Sequence, residues 1–108
     1  MNDYHEPIEK LDEHALNCVR ALKSLMEEVE AVNWYHQRIA ASNDEDLKHI
    51  LEHNRNEEIE HACMALEWLR KNMPGWDEEM RRNLFKEDKT DETNENDSLN
   101  IGNLKNMK

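Results

Sequence analysis

Between His14 and Ala41, the residues Cys18, Ala21, Leu25, Glu28, Val32, Tyr35 and Ile39 recur at alternating steps of three and four. Only an α-helix turns that rhythm into one continuous stripe, so the spacing predicts a helix of about 28 residues. Leu22, Met26 and Val29 widen its apolar face. A second run from about Asp44 to Asn72 carries Leu47, Leu51, Asn54, Glu58, His61, Ala65 and Trp68 or Leu69 on the same rhythm. Between the two runs, Ser42-Asn-Asp-Glu45 reads as a capping box, which ends one helix and starts the next within a few residues. Two antiparallel helices joined by a tight turn follow. Pro74-Gly75 stops the second helix, and Trp76 to Phe85 fits a short third one presenting Trp76, Met80 and Leu84. With only two glycines and two prolines in the chain, the fold class is all-α: a two-helix hairpin plus a short third helix.

At 108 residues with an apolar fraction of 37%, the chain is one small unit with little to bury on its own. Its helices are expected to cover their apolar faces with another copy, giving a four-helix bundle from two hairpins. A net charge of -11 excludes nucleic acid as a natural partner and favours cations. Cys18 and Cys63 lack metal-motif or redox-motif spacing and read as buried thiols, not a disulfide. The N-terminus has no apolar signal core, and no apolar run is long enough to span a membrane, so a cytoplasmic location is expected.

Residues 1–13 read as an N-terminal arm and 14–86 as the helical unit. The following stretch 87–97 is acidic, without an apolar residue, and is expected to be a disordered linker. Leu99, Ile101 and Leu104 then stand close together within residues 98–108, a setting too short to fold alone. An apolar motif on a tether is suited to docking on another protein.

Glu58 and His61 are three residues apart and share a helix face, near enough to bind one metal ion. Both fall in the apolar seam of the second helix, as Glu28 falls in the seam of the first. Burying three ionisable groups without a counterion costs several kcal/mol, whereas a cation supplies the missing partner. Ferritin-like di-iron bundles place a lone Glu on each of two helices and a Glu-x-x-His on each of the other two. This chain carries one helix of each kind, so two copies about a two-fold axis would complete a two-metal site. Carboxylate with imidazole suits iron or manganese better than a structural zinc.

Glu27 and Glu30 share one helix surface beside Glu28; they form either a solvated acidic face or an outer site for calcium or another divalent cation. Glu57 and Glu60 fit a solvated face equally well. Tyr35 shares the Glu28 stripe, and Trp34 lies next to it. His36, His49 and His53 lack ligand partners in the sequence and are read as surface residues.

The segments SLMEEVEAVNWYHQR, LEHNRNEEIEHACMALEWLR and PGWDEEMRRNLF resemble the encapsulated ferritins of bacteria and archaea over roughly residues 14 to 86. That resemblance implies a ferroxidase that oxidises Fe(II) to Fe(III) at a di-iron site between two subunits, with dimers assembling into a ring, commonly a decamer. It carries the metal ligands onto Glu28, Glu58 and His61, the outer acidic site onto Glu27 and Glu30, and the tryptophan beside that site onto Trp34. The tail SLNIGNLK, Ser98 to Lys105, resembles the peptides that direct such proteins into an encapsulin shell, where the iron would be stored.

Two other readings stay open. A non-enzymatic helical interaction protein would use the polar stripe to fix dimer register. A rubrerythrin-like, peroxide-consuming di-iron or di-manganese protein would keep the metals, although no CxxC pair for a rubredoxin-type iron is present.

Overall fold

The computed structural model describes residues 4–88. The tail read as linker and docking peptide therefore lies outside the described residues, apart from its first two positions. A 3-10 turn at Ile8–Lys10 leads into α1, Glu13–Ala41, followed by α2, Glu45–Asn72, and α3, Trp76–Asn83. The described residues contain no strand, as the all-α expectation requires. No helix among them is long and apolar enough to cross a membrane.

Asp12 caps α1 by accepting a hydrogen bond from the Ala15 N–H at 2.8 Å. Asp44 caps α2 in the same way, accepting from the Leu47 N–H at 3.0 Å. Each carboxylate also lies at the positive end of its helix dipole. The capping box expected from Ser42 to Glu45 is not what starts α2. The Ser42 N–H still closes α1 on the Arg38 carbonyl at 3.0 Å, and the Ser42 hydroxyl accepts from the Asp44 N–H at 3.1 Å. With Ser42 committed to the end of α1, Asp44 becomes the capping acceptor.

The two long helices pack along the stripes read from the sequence. On α1 every member of the series from Cys18 to Ile39 is buried or half-buried; on α2 so are Leu51, Asn54, Glu58, Ala65, Trp68 and Leu69, whereas Leu47, near the turn, and His61 are exposed. Only Cys18 and Leu69 are closed off from solvent among the described residues. Cys63, expected to be buried, is exposed. It lies five positions from Glu58, about 140° round the helix and away from α1. Met26, Val29, Ile50, Ile59 and Met64 also remain exposed, so one hairpin leaves much of its apolar surface uncovered.

The hairpin is fastened at its open end as well as at its turn. His14 Nε2 donates to the Asn72 carbonyl at 2.8 Å, satisfying one of the carbonyls left over where α2 stops. Beyond α2, Gly75 takes φ +102°, a conformation that L side chains rarely adopt, in the turn that separates α2 from α3. Arg70 grips Glu67 through two nitrogens at 2.8 Å each and reaches Asp77 as well, tying the first turn of α3 to the last turn of α2. The sequence placed the end of α3 at Phe85. The helix stops at Asn83 because Phe85 has φ +57°, outside the helical region.

Candidate metal centre

Glu28 comes from the middle of α1, and Glu58 and His61 from the middle of α2. Because the seam positions of the two helices face each other, all three side chains meet at one level of the hairpin. One ligand atom from each lies within 4.8 Å of the others. His61 Nδ1 stands 3.3 Å from Glu58 Oε1 and 3.6 Å from Glu28 Oε1. The two carboxylates are 27% and 25% exposed and the imidazole 49%, so the cluster is walled by the hairpin on one side and open on the other.

The protonation pattern follows from this crowding. The Glu28 carboxyl is pushed above its ordinary value, first by its hydrogen bond with Glu58, then by burial, then by the Glu58 charge. Glu58, at the receiving end of that bond, is held below its ordinary value. Two carboxylates that share a hydrogen bond titrate as a pair, and the pair is split in opposite directions. His61 is pushed upward, chiefly by its hydrogen bond to Glu58. The crowded negative charge that raises Glu28 and His61 is the charge that a cation would neutralise.

The donor set fits a hard or borderline cation: two carboxylates able to bridge, one imidazole and no thiolate. Three donors on one open side are fewer than a closed four-coordinate site requires. A second set facing the first would complete two coordination shells.

Glu27 and Glu30 are exposed on α1, and among the described residues they join no comparable cluster of three ligands. Trp34 is exposed. Tyr35 is half-buried with the Arg38 guanidinium 5.1 Å from its ring centre. Glu57 and Glu60 are exposed, as is His36. His53 Nε2 lies 3.1 Å from Glu57 Oε2, and His49 Nδ1 lies 3.8 Å from Glu52 Oε1. Sequence reading gave no part to Arg70, Asp77 or His14, which hold the ends of the helices that carry the cluster. The Glu67-x-x-Arg70 spacing was a legible signal for the first; nothing local marks the other two.

The family described as EncFtn-like matches residues 3–87. A ferritin-like protein of Thermotoga maritima is 60% identical over 84 residues, which is 78% of this chain and 74% of the other. An encapsulated ferritin-like protein of Rhodospirillum rubrum is 56% identical over 86 residues, covering 80% of this chain but 61% of that relative's length. A solved structure of a Nitrosomonas europaea protein superposes with a TM-score of 0.75 at 46% identity, over 81% of this chain and 96% of that one.

Proposed function

The chain belongs to the EncFtn-like family, and from that premise we propose that it is a ferroxidase, taking Fe(II) as substrate at a site completed by two copies of the hairpin. The observation that carries this reading is the meeting of Glu28, Glu58 and His61 within 4.8 Å, two carboxylates and one imidazole from facing helices. Glu28 and Glu58 are close enough to bridge a pair of cations, and their charge favours the ferric state of the product. Neutral His61 supplies a nitrogen donor without adding charge. Binding a cation favours the ionised form of Glu28, whose carboxyl stands above its ordinary value in the ion-free hairpin. Each Fe(II) then passes one electron to dioxygen or another oxidant and becomes Fe(III).

The exposed apolar side chains of one hairpin support self-association, first as a dimer and then as a ring, the decamer being the expected size. Glu27 and Glu30 are proposed to hold calcium or another divalent cation at the outer approach to the cluster. A hairpin offers no interior for a mineral, so storage is assigned to an encapsulin shell that Ser98 to Lys105 engages. The name of the Rhodospirillum rubrum relative, an encapsulated ferritin-like protein, favours that assignment.

The test is anaerobic Fe(II) titration of the full chain, followed by air exposure while ferric absorbance is recorded, with Glu58→Ala in parallel. Saturation near one iron per chain, with fast oxidation lost in the variant, is expected. Absence of saturable binding in a folded, wild-type protein would leave the polar stripe as a register device and overturn the ferroxidase reading. Removing residues 98–108 is expected to abolish co-purification with the shell while sparing oxidation; unchanged loading would reject the targeting role.

A further inference from the structure

Asn54 follows Leu47 and Leu51 in the seam stripe of α2, and Glu58 stands one turn beyond it. Its side chain is half-buried and makes no hydrogen bond among the described residues. The other described asparagines within helices are all engaged. Asn17, Asn33 and Asn56 accept from Arg20, Gln37 and Arg55, and Asn72 donates to the Trp68 carbonyl at 2.9 Å. Asn83 donates to Glu79 Oε1 at 3.1 Å, an amide and a carboxylate one turn apart on one helix. Asn54 and Glu58 have the same spacing in the opposite order.

Residues four apart are neighbours on a helix surface, and long side chains lean toward the helix N-terminus, which carries the Glu58 carboxylate back over the turn of Asn54. Arg55 is engaged with Asn56 Oδ1 at 3.3 and 3.2 Å, so its guanidinium does not take the place of the amide. In the ion-free hairpin Glu58 has its hydrogen bonds with Glu28 and His61 and does not need Asn54. A cation that takes Glu28 and His61 as ligands withdraws both partners.

We propose that Asn54 is a positioning residue of the seam cluster, whose amide Nδ2 donates to the Glu58 carboxylate once a cation has displaced the contacts of Glu58 with Glu28 and His61. One Glu58 oxygen then faces the ion while the other is held from behind. Ligating carboxylates are themselves hydrogen-bonded, and losing such a partner costs about 10–100-fold in metal affinity. This inference rests on the reading of the cluster as a cation site, and the two fail on different results.

The test is anaerobic titration of the full chain with Co(II), read by its visible absorption, in wild type, Glu58→Ala, Asn54→Ala and Asn54→Gln. Wild type should saturate and Glu58→Ala should not, which establishes the site. Asn54→Ala should bind about 10–100-fold more weakly, and Asn54→Gln, which restores a donor amide within reach of Glu58, should recover most of that loss. Without metal, Asn54→Ala should melt no lower than wild type, because the ion-free hairpin loses no hydrogen bond and alanine favours the helix. Wild-type affinity in Asn54→Ala, or equal weakening in the alanine and glutamine variants, would overturn the role of Asn54 while leaving the cation site in place. A metal-free melt well below wild type would overturn it too, by giving the amide a partner in the fold itself. Saturation that ignores Glu58, or no saturation at all, would sink the cation site and this inference together.

Discussion

Replacing Glu28 by Gln separates the two uses of that side chain. In the ion-free hairpin the Glu28 carboxyl is pushed above its ordinary value, first by its hydrogen bond with Glu58. A glutamine amide can donate to Glu58 in its place, so the metal-free fold keeps its contact. What disappears is the anionic oxygen that a cation needs. A ligand that binds only the native state at about 100 times its dissociation constant stabilises it by about 2.7 kcal/mol. For a domain of this size each kcal/mol is worth about 4–8 °C in Tm, so saturating Fe(II) should raise the wild-type Tm by roughly 10–20 °C. The assay is thermal unfolding by circular dichroism under anaerobic conditions, with and without Fe(II). Protein concentration is held fixed because association also shifts Tm. Wild type should show the rise, Glu28→Gln should show little or none, and the two metal-free melts should coincide. An equal rise in the variant would refute the assignment of Glu28 as a ligand. A variant that melts well below wild type without metal would refute the replacement of the Glu28–Glu58 hydrogen bond by the amide.

Cation binding should weaken as pH falls through the folded value of His61, which lies above 6.5, and further through that of Glu28, which lies above 4.5, because both must lose protons to become ligands. Calorimetry in buffers of different ionisation enthalpy should register that proton release. In the ion-free chain the raised His61 acts with the opposite sign: its stabilisation is present below 6.5 and is lost as pH rises through the folded value. Glu67 is held below 4.5, first by its hydrogen bond to Arg70, so its contribution is present above 4.5 and is lost as pH falls through the lowered folded value. Glu67→Gln should therefore flatten the acid limb of the stability curve measured by denaturant melts. Leu69→Ala removes a fully buried side chain and should destabilise the fold by about 2–5 kcal/mol in the same assay, with a value below 1 kcal/mol showing that the seam refills.

The stripe on α1 was legible because every third or fourth residue from Cys18 to Ile39 was apolar except Glu28, and the exception marked the site. On α2 the same phase found Glu58 and His61. Cys63 was misread because a small apolar residue fits a helix anywhere, and only its phase relative to Glu58 puts it outside. Ser42 was misread because two acceptors, Ser42 and Asp44, stand within reach of the same turn, and sequence spacing does not say which one α1 has already used. The early stop of α3 depends on the φ of Phe85, which no local pattern announces. The half of the site that a second copy would bring is beyond the reach of one chain's periodicity.

Glu28 sits near the middle of α1 and Glu58 near the middle of α2, each about 20 Å from either end of its helix at 1.5 Å per residue. The turn at 42–44 fixes one end of the pair, and the His14 contact with the Asn72 carbonyl fixes the other. The carboxylates therefore stand deep inside a pair zipped along its length and closed at both ends, where fraying of either terminus does not reach them.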